Sequence, residues 1–237
     1  MATPSWAARV AEATTETNPR QVGAIPIVYP LIEMLRIRET INELRWSNAD
    51  IDIGRVVEVL VLNRLLSPQP LSHIGEWASQ TVVVPMLGLR EEQLYDQRFG
   101  RALDEIHPWL GEAWVRVATN AVQQGKVDVS VSHWDTTSID MEGIYEDSDW
   151  AKPGRSSDGR LDNVQVKLGM GVASQGRVPF LYRLLSGGTE DTTTPVPHMK
   201  SLAAFLRQPE CVVPATYPLS TCVKITSAFW ETSEREM

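Results

Sequence analysis

The chain has 237 residues, 43% of them hydrophobic, which excludes wholesale disorder and allows one large domain or two small ones. Its net charge of −8 argues against a protein whose whole surface grips nucleic acid, because phosphate binding needs concentrated positive charge; a local patch stays open. No stretch approaches the roughly 18 uninterrupted apolar residues of a membrane span, and the start, Met1-Ala2-Thr3-Pro4-Ser5, lacks a secretory pattern, so a soluble cytoplasmic protein is expected.

Residues 1–29 carry no sustained pattern and read as a loosely ordered lead-in. From Pro30 the period is helical. Leu31, Met34, Leu35 and Ile41 share one side of a predicted helix over Leu31–Leu44, and Ile53–Leu66 is a second, more apolar one. Asp50 or Asp52 can cap that second helix, and Ser67-Pro68-Gln69-Pro70 ends it. Leu71–Gln80 is a third. Pro85 and Gly88 then mark a turn, and amphipathic helices follow near Tyr95–Ile106 and Trp109–Gln124. Residues 30–126 thus form a helical domain.

At Val127 the period becomes two. Val127, Val129 and Val131 alternate with polar residues, and Asp135 shares their parity, which predicts a carboxylate leaving from the inward face. The alternative is that Asp135 ends the strand and caps the turn through Thr136-Thr137-Ser138. Met141–Asn163 reads as a long exposed loop. Val164–Ala173 and Val178–Leu185 are strands joined by the turn Ser174-Gln175-Gly176-Arg177. Thr192-Thr193-Thr194-Pro195 opens a helix to about Leu206, and Cys211-Val212-Val213 begins a fourth strand. Cys211 and Cys222 have no CxxC spacing and read as free thiols. His73, His107, His133 and His198 share no metal-ligand spacing and read as structural or surface groups.

The string His133-Trp134-Asp135-Thr136-Thr137-Ser138, then Gly154-Arg155-Ser156-Ser157-Asp158-Gly159-Arg160-Leu161-Asp162, Gln165-Val166-Lys167-Leu168-Gly169 and Ser186-Gly187-Gly188-Thr189-Glu190-Asp191 resembles the DDE transposases of bacterial insertion sequences, in the IS1634-like branch of the IS4 group. Upstream, Leu60-Val61-Leu62-Asn63, Gly75-Glu76-Trp77-Ala78 and Arg98-Phe99-Gly100-Arg101 look like the helical N-terminal domain of the same proteins.

The resemblance implies an α+β chain: a helical N-terminal domain for DNA-end binding or dimerisation, then residues 127–214 as the first half of an RNase H-like mixed α/β domain, and a divergent tail over 215–237. It implies Asp135 as the first catalytic, metal-binding acid, with Mg²⁺ or Mn²⁺ held as a pair in the intact family. It implies DNA at insertion-sequence ends as partner, with an intact transposase or a second copy beside it, and no membrane. Arg155, Arg160 and Lys167 are candidate phosphate contacts; equally, they balance the acids of a solvated loop.

The sequence also departs from the family. No Asp follows Asp191, and Glu231, Glu234 and Glu236 crowd a charged tail. The second Asp and the Glu of the triad are therefore missing, and the expectation is a truncated transposase, inactive alone. The rival readings are a non-catalytic DNA-binding or dimerising protein that inhibits an intact transposase, and an unrelated Mg²⁺-dependent hydrolase.

Overall fold

The structure is a computed structural model that describes residues 5–13, 19–129, 131–154, 163–198 and 200, and the backbone of 221–224. The chain divides into two compact units, 1–120 and 121–237. The first is helical and the second is built on an antiparallel sheet, so the chain is mixed α+β. No helix among the described residues is long and apolar enough to cross a membrane.

The helical unit contains α1 (Trp6–Ala13), α2 (Ile25–Met34), α3 (Ile37–Leu44), α4 (Ile53–Leu66), α5 (Leu71–Gln80), α6 (Val83–Leu87), α7 (Asp96–Ile106) and most of α8 (Leu110–Gly125). Helices α4 and α5 have the predicted bounds. Three expectations are corrected. The lead-in over 1–29 contains α1 and the start of α2, where Pro26 occupies the first turn and Trp6 packs edge-on against Tyr29 at 5.9 Å. The single helix over Leu31–Leu44 is two helices, because Arg36 takes a left-handed backbone (φ 54°) and breaks the ladder. The turn at Pro85 and Gly88 is a short helix, α6, which Gly88 ends in the left-handed region at φ 64°.

Helix α4 is the centre of this unit: Val56, Val59, Leu60 and Leu62 are buried in one continuous cluster with α2, α5, α6 and α7. Its start is fixed by Asp52, not Asp50. The Asp52 carboxylate accepts from the Arg55 backbone N–H (2.9 Å), from Asn42 (2.9 Å) and from both Nε (3.2 Å) and Nη2 (2.8 Å) of Arg38. One side chain therefore caps α4 and ties it to α3. Gly54 makes the close approach feasible, since a Cβ there would lie 2.5 Å from the Arg38 carbonyl. Asp50 instead accepts from Gln93 (3.0 Å) and Arg98 (2.8 Å). At the other end, buried Asn63 donates to the Ser67 carbonyl and accepts from the Gln69 N–H, closing the helix before Pro70.

Glu58 faces this core and is 2% exposed. Its Oε1 accepts from the Tyr29 hydroxyl at 3.4 Å, while Oε2 is buried without a partner. Burial, offset in part by Arg38, raises its carboxyl from 4.5 to about 7, and burial beside Glu58 pushes the Tyr29 phenol up as well. The native state therefore holds this proton more tightly than the unfolded chain. The stabilisation is complete below about pH 4.5 and is lost as pH rises through 7, by about 3 kcal/mol at most. The expected outcome is a stability difference between the natural chain and Glu58→Gln that changes by this amount between pH 4.5 and 8 in urea titrations; a pH-independent difference would refute the buried acid.

In the second unit, β1 (Val131–Asp140) lies between β3 (Val164–Ala173) and β5 (Thr221–Lys224). β4 (Pro179–Ser186) and the two-residue β2 (Lys152–Pro153) pair with the other edge of β3. β3 has the predicted bounds and β4 is displaced by one residue. The strand expected from Val127 begins at Val131. All described pairings of this sheet are antiparallel. The turn between β3 and β4 places Gly176 (φ 69°) and Arg177 (φ 55°) in the left-handed region, as a tight hairpin requires. The helix expected after Thr194 is present at 195–198; its continuation to Leu206 and the strand at Cys211-Val212-Val213 lie outside the described residues, as does most of the tail.

Candidate functional site

Strand β1 has two faces of different chemistry. Ser132, Trp134, Thr136 and Ser138 leave from one, opposite Ala173, Gly171, Gly169 and Lys167 of β3. Val131, His133, Asp135, Thr137 and Ile139 leave from the other, with Val172, Met170, Leu168 and Val166 beside them and Tyr182 and Leu184 of β4 beyond.

The first face is closed. Trp134 is 3% exposed, donates its indole N–H to Thr194 Oγ1 (3.0 Å) and stacks on His198 at 3.9 Å between ring centres. Both rings need glycine below them: a Cβ on Gly169 would sit 2.3 Å from the Trp134 ring, and one on Gly171 2.6 Å from His198. Burial lowers the His198 imidazole to about 4, so it is a neutral core ring at neutral pH.

The same face holds a polar clamp. Lys167, whose side chain is 7% exposed, donates to the Thr189 carbonyl (2.8 Å) and to Asp191 Oδ1 (3.0 Å). The Thr136 hydroxyl donates to the same Asp191 oxygen at 2.8 Å. Burial works against the Asp191 carboxylate, yet Thr136 and Lys167 together hold it below the usual range. Beneath the clamp, Gln165 donates to the Gly187 carbonyl (3.0 Å), and the Gly187 N–H donates to Trp150 (3.0 Å). The Ser186-Gly187-Gly188 turn and Asp191 are thereby fastened to β1 and β3.

The second face carries Asp135, and the parity argument is corrected in one respect. Asp135 does share its side of the strand with Val131, but that side is the open one, and Asp135 is exposed. The inward face is decided by Trp134 and the glycines opposite it. Asp135 Oδ1 accepts from the Thr136 N–H at 2.9 Å. Around it Val166, Leu168, Met170 and Val172 are half-buried, and Ile139 and Leu184 are exposed. Among the described residues of β1, β3 and β4, Asp135 is the only acid on this face. Asp191 is held by Thr136, the next residue along β1, on the opposite side of the sheet. The described residues hold no group of three His, Cys, Asp or Glu placed for a metal ion, and a single exposed carboxylate does not fit a pair of Mg²⁺ or Mn²⁺ ions.

Of the candidate phosphate contacts, Arg155 and Arg160 lie outside the described residues. Lys167 is placed on the closed face with two acceptors of its own. The sequence reading missed Thr136, Thr194 and His198 as partners of this region. The signal available was the alternation of glycine at 169 and 171, which leaves room on one side of the sheet only.

The two aspartates should respond differently to substitution. Asp191→Ala leaves the nearly buried Lys167 ammonium without its carboxylate, and a loss of about 1–2 kcal/mol is expected after discounting for the exposure of Asp191. Asp135→Ala removes an exposed group and should change stability by less than about 0.5 kcal/mol. Urea titrations of the two variants check the contrast; equal losses would show that Asp135 is part of the clamp.

The family model described as "Domain of unknown function (DUF4277)" matches residues 17–110, which span α2 to α7. No curated protein matches the chain. No solved structure matches it.

Proposed function

We propose that this chain is the DNA-engaging N-terminal part of a DDE-type insertion-sequence transposase, made of a helical domain followed by the opening strands of an RNase H-like domain, and that it binds DNA without cutting it. One observation carries the reading. Asp135 stands in the middle of an inner strand, β1, which runs antiparallel between β3 and β5, with its carboxylate exposed on the open face. An acid in that place costs nothing to keep solvated and, among the described residues, makes no fold contact beyond its own neighbour's N–H, which leaves it available as a ligand. The resemblance of the Asp135-Thr136-Thr137-Ser138 and Ser186-Gly187-Gly188 segments to the transposases supports the same reading.

Cutting by two ions needs several carboxylates fixing both. The sequence has no Asp after Asp191, and Asp191 is engaged by Thr136 and Lys167. Asp135 by itself does not assemble the two-ion site that cutting needs. Binding would rest on phosphate contacts by Arg and Lys, and 17 of the 22 basic residues are Arg, whose planar fork suits bidentate phosphate contacts. The second reading, a non-catalytic DNA-binding or dimerising protein that competes with an intact transposase, predicts the same binding.

The test incubates the purified chain with DNA carrying the neighbouring inverted repeats, with Mg²⁺ or Mn²⁺ and alongside Asp135→Ala. Retarded mobility that weakens steeply between 50 and 200 mM salt, without nicking, is the expected outcome. Absence of any DNA affinity overturns the proposal. Metal-dependent nicking that disappears in Asp135→Ala would show that the remaining acids lie elsewhere in the chain and that it is a working nuclease.

A further inference from the structure

Helix α2 has two apolar sides. Ile25, Tyr29 and Ile32 are buried in the helical unit's core. Starting from the N-cap, Ala24, Ile27, Leu31 and Met34 form a second row that faces outward, with Ile27 75%, Leu31 53% and Met34 42% exposed. The intervals along this row are three, four and three, the spacing of a two-helix seam. A scatter of single exposed apolar residues needs no explanation, but a seam does.

We infer that this row is a self-association surface on which α2 of a second copy packs antiparallel. Three features select that occupant. Between Gln21 and Leu35 the chain carries a single charge, Glu33, and no cation, so the row offers nothing to phosphate and two copies meet without a field of like charges. The sizes are complementary in the antiparallel sense: a two-fold axis beside residue 29 sets Ala24 opposite the partner's Met34 and Ile27 opposite the partner's Leu31. A parallel pair would set Ala24 on Ala24 and Met34 on Met34, leaving a gap at one end and crowding at the other. Isologous pairing of this kind closes on itself as a dimer. The row offers three exposed side chains per copy, Ile27, Leu31 and Met34, and the flanking Pro26, Pro30 and Leu35 are half-exposed and widen the contact. A contact that small is below the roughly 800 Å² per partner of a standard interface, which makes the dimer weak and reversible. The inference stands on α2 alone and is independent of the DNA reading.

The experiment uses the full chain. Sedimentation velocity should show monomer at low micromolar concentration and a shift to dimer over roughly a hundredfold increase. Leu31→Glu should remain monomeric throughout with an unchanged thermal melt, since Leu31 lies outside the core. In a background with Cys211→Ser and Cys222→Ser, a mixture of Ala24→Cys and Met34→Cys chains should cross-link under mild oxidation at least tenfold more than Ala24→Cys alone. In the antiparallel pair the two Ala24 positions are separated by about 15 Å along the helix axis, beyond disulfide reach. A monomer at all concentrations, or association that persists in Leu31→Glu, overturns the assignment to α2. Preferential Ala24→Cys homodimers overturn the antiparallel arrangement.

Discussion

The stacking of Trp134 on His198 over two glycines of β3 is the contact on which the second unit depends. A sheet of this size has two faces that look alike at the level of hydrophobic pattern, because Val166, Leu168, Met170 and Val172 alternate with Gln165, Lys167, Gly169 and Gly171. The face with the smaller and more polar residues is nevertheless the closed one. The space above Gly169 and Gly171 admits two rings in contact with the backbone, and Trp134 and His198 fill it.

Once that face is closed, a charge on it must be paired, while Ser132 Oγ, Gln165 Oε1 and His198 Nε2 stay buried without a partner among the described residues. Lys167 could not be left at 7% exposure without acceptors, and the turn from Gly187 to Asp191 supplies them. The glycine turn, the aspartate and the lysine therefore form one local unit. It also holds the Thr136 hydroxyl, so the strand is pinned on its inner side immediately next to the residue that points outward. Asp135 gains a fixed backbone while its carboxylate stays solvated. Support on one face is thereby separated from an exposed carboxylate on the other.

The helical unit is organised by the same economy of contacts around Asp52. One carboxylate caps α4, receives the Arg38 fork and orients Asn42, whose own carbonyl takes the Gly54 N–H. The unusual members of this unit are Glu58, a carboxyl kept within the core, and the outward row of α2, an apolar surface kept outside it. Helix α2 can be apolar on both sides because only one of them is needed to close the core.

Much of the architecture was legible from local pattern. The bounds of α4, α5 and β3, the change of period after residue 126 and the hairpin at Ser174–Arg177 follow from periodicity, proline and glycine placement, which act within a few residues. What local pattern could not settle were choices made by partners distant in the chain. Helices α2 and α3 separate at Arg36 because α3 must turn to reach Asp52, 14 residues on from Arg38, and no glycine or proline announces the break. Parity along β1 placed Asp135 and Val131 on one side correctly, since alternation is a property of the strand itself. Which side is inward depended on Gly169, Gly171, Thr194 and His198, between 34 and 63 positions beyond Asp135, because burial is decided by what packs against a face and not by the order of residues along it.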